Sequence, residues 1–471
     1  MLKISLAPEL PLVEQIVESI RQRIDDRLLR PGTRLPSIRA FAESHAISRH
    51  TTVEAYDRLA ALGYLRSQRG SGCFVAGPAA AQGATPGAVT PAERPVDVVW
   101  LLRQMFNDSR PAADGSPRIE AGAGCLPDSW LDDEGVRRQL RALVRREDLK
   151  IAGYGTPQGY APLRDQLALK LAALSIAARP TQVVTTMGAL QAVDLVIRCL
   201  LKPGDTVLVD DPGYFNLFAA LRLSGARVLG VPRLEDGPDL DALEALLAEH
   251  RPRLYFTQSV LHNPTSSNLS PAKAFRVLQL AEKHDFLLVE DDVHGDLHPG
   301  PATRLATLDQ LQRVIYIGGF SKTLSGDLRV GFLAARPDLA QDIADFKMLT
   351  CVATPEFAER LVYLMLTEGH YRKFLERLHG RLAENMAATL KRLEAAGLEV
   401  FGDPRAGMVL WARLPGVEDS AALASRAASE GIFLAPGKVF RPHQEPSPWL
   451  RFNVARCGEP RLWEFLATAH R

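Results

Sequence analysis

The spacing of apolar residues changes character once along the chain. In the first part it follows a helical period, with apolar positions three, four and seven apart. The predicted buried face of the first helix comprises Val13, Ile16, Val17, Ile20, Ile24 and Leu28. Pro31-Gly32 ends that helix, and Ser37 and Ser48 each stand before a further helical pattern as suitable N-caps. The first 76 residues therefore predict three short helices.

The third predicted helix turns Val53, Tyr56 and Leu59 inward. The segment after it predicts two short strands around Gly70-Ser71-Gly72, a wing with basic residues beside it at Arg66 and Arg69.

A different pattern occupies the rest of the chain. Short runs rich in β-branched residues alternate with helical stretches, and such alternation predicts βαβ units with a mostly parallel sheet. The predicted strands are 183–186, 206–209, 253–256, 286–290 and 314–317. The expected fold is α/β.

Residues 77–96 separate the two patterns. They are mostly Ala, Gly, Pro and Thr, and they offer almost no large apolar side chain to bury. We interpret the segment as a flexible linker, with an ordered surface loop as the alternative. The predicted domains are residues 1–76, the linker at 77–96, and a body at 97–471.

Composition adds limits to this division. Among 471 residues, 46% are hydrophobic and 24% charged, as in globular proteins with ample core. The five cysteines show no metal or redox spacing, and no apolar run reaches the roughly 18 residues of a membrane span, so a cytoplasmic location is expected. Net charge is +1, but residues 1–76 hold 11 Lys and Arg against 8 Asp and Glu, an excess suited to meeting phosphates.

The exposed first turn of the third helix carries Arg49, His50 and Thr51. These side chains can donate to bases or phosphates when a helix N-terminus enters the major groove. A small helical protein-interaction module is the alternative interpretation.

The string PGTRLPSIRAFA…SRHTTVEAYDRLAALGYLRSQRGSGCFV resembles the winged-helix domain of the GntR regulators over nearly all of residues 10–76. The resemblance implies double-stranded operator DNA as a partner. It also implies that the contacting residues are Arg39, Ser48, Arg49, His50, Thr51, Gly70 and Ser71.

Three motifs in the body carry chemistry. GALQAVDL follows a strand and opens a helix at Gly188, where the free N–H groups of Ala189 and Leu190 suit a phosphate. FLLVEDDVHGDL ends a strand with carboxylates where α/β sheets place ligands, so Asp291 can hold a protonated pyridine nitrogen. A metal site is the rival for this acidic stretch, and we expect none because the stretch has no fixed distant partner.

The third motif, VIYIGGFSKTLSGDLRVGFL, places Lys322 after a strand, with Ser321 before it and Arg329 seven residues on. A lysine held near a pyridine ring can form a Schiff base with an aldehyde, and the hydroxyl and guanidinium suit a phosphate.

With LHNPTSSNLS, YGTPQGYAPLRDQLA, DDPGYFNLF and LRFNVA, these motifs resemble the fold-type-I aminotransferases over about residues 115–471. Asn263 lies 28 residues before Asp291, which lies 31 before Lys322. Head and body together resemble the MocR subgroup of GntR regulators. The resemblance implies a smaller α+β subdomain at the C-terminal side, and the cofactor that it implies is pyridoxal 5′-phosphate.

The resemblance also implies a role for each matching residue. Lys322 would form the internal aldimine, and it is the one catalytic residue expected. Asp291 would pair with the pyridine nitrogen, Asn263 would bond the phenolic O3′, and Tyr214 would stack on the ring. The phosphate would be held by Gly188, Ala189, Ser321 and Arg329. Arg451 would clamp the carboxylate of an amino-acid-like ligand.

Three positions depart from the family pattern. Ser266 replaces the glycine of Asn-Pro-Thr-Gly, His294 replaces a tyrosine that is another O3′ partner, and Gly319 replaces a hydroxyl residue that would donate to the phosphate. Losing one charge-assisted hydrogen bond costs on the order of 1.5–3 kcal/mol. The departures put efficient transamination in doubt, while cofactor binding is still expected.

Three functions remain open at this point. The first is a homodimeric regulator whose body senses an amino-acid-like or B6-related effector and repositions two DNA-binding heads. The second is an active aminotransferase with an appended DNA-binding domain. The third is a body that has lost the cofactor and serves only to dimerise.

Overall fold

The computed structural model describes residues 11–68, 71–76, 96–106, 117–149 and 152–468. Contacts divide the chain into two compact units, residues 1–93 and 94–471. The predicted linker at 77–96 lies, apart from its last residue, outside the described residues.

The first unit contains three helices and a two-stranded hairpin. Its elements are α1 (Leu12–Asp25), α2 (Ile38–Ser44), α3 (Arg49–Ala61), β1 (Leu65–Gln68) and β2 (Gly72–Val75). The two N-caps are confirmed, because the hydroxyl of Ser37 accepts from the amide of Ala40 at 3.2 Å and that of Ser48 from the amide of Thr51 at 3.0 Å. β1 and β2 pair antiparallel and form the wing.

Two predicted core positions of this unit are wrong. Leu28 is 74% exposed, because α1 ends at Asp25 and Leu28 lies in the turn beyond it. Val53 is 37% exposed, and the inward face of α3 instead carries Thr52, Ala55, Tyr56 and Leu59.

The second unit is an α/β body. Its helices are α4 (Val98–Phe106), α5 (Asp133–Val144), α6 (Ala161–Ala173), α7 (Ala189–Leu200), α8 (Phe215–Leu223), α9 (Leu240–Glu249), α10 (Pro271–His284), α11 (Leu305–Asp309), α12 (Pro337–Cys351), α13 (Glu356–Thr367), α14 (His370–Ala395), α15 (Ser420–Ser429) and α16 (Pro460–Thr468). Its strands are β3 (Val183–Thr186), β4 (Thr206–Asp211), β5 (Arg227–Leu234), β6 (Gly237–Pro238), β7 (Leu254–Thr257), β8 (Leu287–Asp291), β9 (Val314–Gly319), β10 (Gly331–Ala334), β11 (Glu399–Val400), β12 (Val409–Arg413), β13 (Ala435–Pro436) and β14 (Trp449–Asn453).

The large sheet has the strand order β3-β10-β9-β8-β7-β4-β5-β6. The strands from β9 through β8, β7 and β4 to β5 are parallel, and β10 runs antiparallel between β3 and β9. The predicted mostly parallel sheet is confirmed. The five predicted strands all occur, with bounds shifted by at most a few residues.

Alternate residues of these strands enter cores on opposite faces of the sheet. Val207 and Val209 pack on the face covered by α7, α8 and α12, whereas Leu208 packs on the other. Strands buried on both faces read as continuous apolar runs, which explains why their sequences lack polar alternation.

A smaller antiparallel sheet, in the order β11-β12-β14-β13, forms the core of the C-terminal subdomain. Arg451 lies on β14 opposite Trp411 of β12. The expected α+β subdomain is therefore present. Within the described ranges, no helix is long and apolar enough to cross a membrane.

Candidate functional site

Five connections leave the carboxyl edge of the large sheet close together. β8 ends at Asp291, β9 at Gly319, β4 at Asp211 and β7 at Thr257. β3 runs in the same direction as β9, because both are antiparallel to β10. Consequently the chain segments after these strands share one edge, where open α/β sheets place ligands.

The side chain of Asp291 is half-buried at this edge. Its Oδ2 accepts a hydrogen bond from Nε2 of Gln258 at 3.0 Å, and its Oδ1 accepts from the amide of Val293 at 3.2 Å. Burial raises the pKa of Asp291 to about 6, against these two hydrogen bonds. A cation arriving beside this carboxyl group would favour its charged form.

The amine of Lys322 is also withdrawn from solvent. Its Nζ donates to the carbonyl oxygen of Gly124 at 2.6 Å. Burial lowers the pKa of Lys322, and the charges of Arg451 and Arg329 act in the same direction. A lowered pKa makes the neutral, nucleophilic amine more available.

Beside Lys322 is a group of donors, which we call the anion cradle: Gly188, Ala189, Ser321 and Arg329. Gly188 has φ of +75° and is the N-cap of α7, with no side chain capping the helix amides. Nη1 of Arg329 donates to Oγ of Ser321 at 3.3 Å, and Nη2 donates to the carbonyl of Met187 at 3.2 Å. A guanidinium, a hydroxyl and a helix N-terminus together suit a phosphate group.

Glycines keep the cradle open. A Cβ on Gly188 would lie 2.4 Å from Nη2 of Arg329. A Cβ on Gly319 would lie 3.8 Å from the amide nitrogen of Ala189, in ordinary contact. Gly319 thus borders the cradle, and the hydroxyl donor expected there by family pattern is absent.

Arg451 lies in the interior, 1% exposed. Its Nη1 donates to Oδ1 of Asn263 at 3.0 Å and its Nη2 to the carbonyl of Gly122 at 2.8 Å, while its Nε is buried without a partner. Burial lowers the pKa of Arg451 to about 10, so it is still a cation near neutral pH. Among the described residues, no acidic side chain forms an ion pair with it.

Gly124 lies between the amine of Lys322 and the guanidinium of Arg451. Its carbonyl accepts from Lys322, and a Cβ on it would lie 3.1 Å from Nη2 of Arg451. Gln258 links Asp291 to Asn263. The Oε1 of Gln258 accepts a hydrogen bond from the backbone amide of Asn263 at 2.7 Å. The amine, the carboxylate and the guanidinium therefore belong to one continuous set of contacts.

Tyr214 lines the same cavity as Asp291 and Gln258. Its hydroxyl accepts from Nδ2 of Asn216 at 2.9 Å, and burial raises its pKa. The aromatic ring is available beside the carboxylate, as a stacking role requires.

His294 is 4% exposed, and its Nδ1 is buried without a hydrogen-bond partner. Burial, together with the charges of Lys322 and Arg451, lowers the pKa of His294 to about 3. The ring is therefore neutral and close to both cations.

The other acidic residues of this stretch face partners of their own. Asp292 binds Arg304 at 2.7 Å and the hydroxyl of Tyr316 at 2.6 Å. Asp296 contacts Lys170 and accepts from Tyr371 at 2.6 Å. The side chains that made a metal site an alternative thus point to separate places.

The head presents its predicted DNA contacts on α2, α3 and the wing. Arg49 and His50 are exposed in the first turn of α3, and Ser71 is exposed in the hairpin. Ser48 and Thr51 share a hydroxyl contact of 2.8 Å at the cap, and Arg39 pairs with Glu43 at 2.9 Å on the surface. Gly70 and the wing residue Arg69 lie outside the described residues.

Sequence reasoning missed Gln258, Gly122 and Gly124. Gln258 follows β7 directly and could have been found as a polar residue at a strand end. Gly122 and Gly124 act through backbone carbonyls against residues some 200 or more positions away, and no local pattern signals such contacts.

Comparison with known proteins gives two matching family models. "Aminotransferase class I and II" matches residues 127–468, and "Bacterial regulatory proteins, gntR family" matches residues 12–75.

Individual relatives include an enzyme and a regulator. The 2-aminoadipate transaminase of Thermus thermophilus is 37% identical over 74% of this chain and 88% of its own. The HTH-type transcriptional regulator TauR of Rhodobacter capsulatus is 30% identical over 96% of this chain and 95% of its own. Among solved structures, LysN, an α-aminoadipate aminotransferase from Thermus thermophilus complexed with N-(5′-phosphopyridoxyl)-L-leucine, covers 75% of this chain and 92% of its own with TM-score 0.69 and 32% identity.

Proposed function

Because the chain belongs to the class I and II aminotransferase family and carries a GntR-family head, we propose that it is a MocR-type transcription regulator that binds pyridoxal phosphate in its body. The observation that carries the proposal is the convergence of Lys322, Asp291 and the anion cradle at one sheet edge, in a chain that also has a winged-helix head. We assign DNA binding to residues 1–76, a linking role to 77–96 and ligand binding to 97–471.

The residues present fit this cofactor. The amine of Lys322 would take the aldehyde, the carboxylate of Asp291 the ring nitrogen, and the anion cradle the phosphate. Asn263 and His294 would serve the ring hydroxyl, and Tyr214 the ring face. When bound, the cofactor supplies an aldehyde that reacts with amines and a ring that withdraws electrons.

Arg451 supports an effector with a carboxylate. A guanidinium that is buried with an unpartnered Nε and no ion pair among the described residues is poised for an anion supplied from outside. A planar fork of donors matches a carboxylate bidentately. An amino acid or a B6-related compound offers groups that this part of the site can bind.

The regulator is favoured over an enzyme by the head, since a base-reading helix serves no purpose in transamination. An active aminotransferase is the second candidate, and the retained Lys322 with its lowered pKa supports it. The two differ in what purified protein does: the enzyme turns over an amino acid and a keto acid, and the regulator protects a promoter sequence.

We further propose a homodimer in the cytoplasm. Exposed apolar side chains, which we call the apolar patch, occur at the start of α7, at the end of α12 and in the segments near that end: Met187, Leu190, Met348, Leu349, Val352, Tyr154 and Phe357. Sγ of Cys351 lies 3.3 Å from Nε2 of Gln191, which places the end of α12 next to the start of α7. A second copy covering this patch would border the ligand site and bring two heads to a two-part operator.

The cofactor assignment is tested by absorbance. Protein reconstituted with pyridoxal phosphate should gain a band near the visible–ultraviolet border, and Lys322→Ala should lose it. Lys347→Ala is a poor control because Lys347 is buried beneath β3, so the control is the exposed Lys283→Ala, which should keep the band. A spectrum unaffected by Lys322→Ala contradicts covalent capture at this lysine.

A further inference from the structure

The side chain of Gln258 is held at both ends of its amide, and the surrounding groups set the direction of that amide. Its Oε1 accepts from the backbone N–H of Asn263 at 2.7 Å, and its Nε2 donates to Oδ2 of Asp291 at 3.0 Å. A backbone N–H can only donate, so the end of the amide that meets Asn263 must be the oxygen. The NH2 group of Gln258 is thereby turned toward Asp291.

Both carboxyl oxygens of Asp291 therefore face hydrogen-bond donors. Oδ1 accepts from the backbone N–H of Val293 at 3.2 Å, and Oδ2 accepts from Gln258. An ionised carboxylate accepts at both oxygens, whereas a protonated carboxyl group needs an acceptor for its own hydrogen. The two donors consequently favour the ionised form of Asp291 and oppose the burial that raises its pKa.

The main chain of Gln258 is anchored by a separate buried carboxylate. Its N–H donates to Oδ2 of Asp210 at 3.3 Å. Asp210 also accepts from the hydroxyls of Tyr255 at 2.7 Å and Thr257 at 2.8 Å, and it pairs with the buried Arg233 at 3.3 Å. Asp210 therefore has a cation and donors of its own, and it fixes the point from which the side chain of Gln258 extends.

Other ionisable groups surround Asp291. The groups that line the same cavity are Asp210, Tyr214 and His262. Burial raises the pKa of Tyr214 and holds that of His262 well below its ordinary value, so both are neutral near neutral pH. Besides burial, the charge of Asp292 raises the pKa of Asp291, and the charge of Lys322 lowers it. Among the described residues, Gln258 is the one side chain that hydrogen-bonds Asp291.

We propose that Gln258 is a positioning residue, whose amide keeps Asp291 ionised and ties its carboxylate to the backbone of Asn263. This inference rests on the proposed cofactor binding and adds the residue that prepares the carboxylate for the ring nitrogen. The amide of Gln258 gains and loses no proton. Because its contacts exist without any ligand, the effect on Asp291 is present in the empty protein.

The ionisation of Asp291 in the full-length protein without cofactor tests the inference directly. Carbon NMR of protein isotopically labelled at its aspartate carboxyl groups measures the titration, and Asp291→Asn identifies the resonance by its loss. Gln258→Met keeps a side chain of similar length but removes the donor. The titration midpoint of Asp291 should rise by about one pH unit, as expected for one hydrogen bond to a charged group. Gln258→Glu places a second carboxyl group there and should also raise it.

Gln182→Met is the matched control. Gln182 is buried like Gln258, and its amide also bridges two groups, accepting from the N–H of Arg179 at 3.1 Å and donating to the carbonyl of Ala335 at 3.0 Å. It precedes β3, whereas the anion cradle follows that strand. The substitution removes as many hydrogen bonds as Gln258→Met and should leave the titration of Asp291 unchanged.

Cofactor affinity gives a second readout. The ligands are pyridoxal phosphate and its analogue with a C–H group in place of the ring nitrogen, which has nothing to offer the carboxylate. Gln258→Met should weaken binding of pyridoxal phosphate about tenfold near neutral pH, as expected for one hydrogen bond, and should change binding of the analogue little. Gln182→Met should bind both ligands as wild type does.

The outcomes separate this inference from the function beneath it. If wild type gains no Lys322-dependent absorbance band, the proposed cofactor binding fails, and the titration alone decides the role of Gln258. An unchanged midpoint in Gln258→Met, or an equal shift in Gln182→Met, contradicts that role. Equal weakening of both ligands by Gln258→Met overturns it as well, because Gln258 would then maintain the shape of the site and not the charge of Asp291.

Discussion

Three charged residues lie close together in the body: Asp291 and Lys322, which are half-buried, and Arg451, which is buried. Burial raises the pKa of Asp291 and lowers the pKa values of Lys322 and Arg451, so it favours the neutral form of each group. None of the three has a salt bridge among the described residues. Buried charges without ion partners are costly to the fold, and they concentrate at sites that bind ligands. We therefore interpret these unpaired charges as groups that bind a ligand of complementary charge.

The pKa of Asp291 predicts how cofactor affinity depends on pH. Its raised value of about 6 means that the empty site is protonated below that pH. A pyridinium nitrogen needs the carboxylate, so wild type should bind pyridoxal phosphate at least tenfold more tightly than Asp291→Asn at pH 8. The ratio should shrink toward one as pH falls to 5.

Fluorescence titration of both proteins at each pH measures this ratio. The cofactor's own phosphate titrates equally in both titrations and cancels in the ratio. A ratio that stays constant from pH 8 to 5 would show that Asp291 does not titrate as a partner of the ring nitrogen.

At the scale of single residues, the sequence was sufficient to place the site residues that directly follow a strand. Asp291 and Lys322 could be placed because parallel strands end at a common edge. The hydrogen bond between Asn263 and Arg451 could not be predicted, because it depends on how the C-terminal sheet packs against the loop after β7. The sequence also could not indicate that His294 would keep an unpartnered nitrogen.

At the scale of elements, the connection from β3 to α7 forms the anion cradle. Gly188 allows this turn by its positive φ, and Gly331 of β10 packs against it so closely that a Cβ there would lie 2.6 Å from the carbonyl carbon of Gly188. Thr185 at the end of β3 is held by the buried Lys347, whose Nζ donates to its carbonyl at 2.8 Å. The cradle thus lies at a closely packed strand–helix junction.

Gly188→Ala should weaken the cradle. The added methyl would push against the guanidinium of Arg329 and strain a backbone at φ +75°. Binding of pyridoxal phosphate should fall about tenfold, the equivalent of one lost hydrogen bond, while binding of unphosphorylated pyridoxal should change little.

Gly204→Ala is the matched control, because Gly204 has φ +90° and nothing within 4 Å of an added Cβ. It introduces the same backbone strain away from the site. Equal losses for both ligands, or an equal loss in Gly204→Ala, would exclude a phosphate-specific role.

The third helix of the head gives a prediction about DNA. Arg49→Ala removes an exposed cation from the N-terminal turn of α3 and should cost about 1–3 kcal/mol of binding free energy. Arg58→Ala, an exposed arginine near the other end of the same helix, should cost far less. Fluorescence anisotropy with a fragment of the DNA immediately upstream of the protein's own gene, across a range of salt concentrations, compares the DNA affinities of the two variants. Equal losses of affinity would mean that only the overall charge of the head matters.

Element boundaries followed the sequence where caps and breakers are strong. Ser37 and Ser48 are the N-caps of α2 and α3, as predicted from their residue type and position. Leu28 was wrongly predicted to be buried, because the helical spacing of apolar residues continues past the end of α1. Apolar periodicity alone did not indicate where tertiary contacts stop.

At the scale of the whole molecule, the proposed dimer would form through the exposed apolar side chains near the start of α7 and the end of α12. Leu349 is 82% exposed and Tyr154 is 89% exposed. Large apolar side chains in such a cluster mark surfaces that other proteins cover. A dimer formed here would link the state of the ligand site to the placement of two heads.

Leu349→Glu should therefore produce monomers. A carboxylate buried in an apolar interface is costly, so the dimer should dissociate at micromolar concentration. Leu223→Glu, at an equally exposed leucine at the end of α8 (90% exposed), is the control and should remain dimeric. Sedimentation velocity distinguishes the species, and a dimer that survives Leu349→Glu would place the interface elsewhere.

The proposed regulator reads DNA with its head and holds pyridoxal phosphate through Lys322 in its body, within one chain. Footprinting on the DNA immediately upstream of its own gene examines both properties together, with wild type and Lys322→Ala, each with and without pyridoxal phosphate. We predict a protected two-part site whose pattern responds to the cofactor in wild type alone. No protected site, together with steady turnover of an amino acid and a keto acid, would contradict the proposed function.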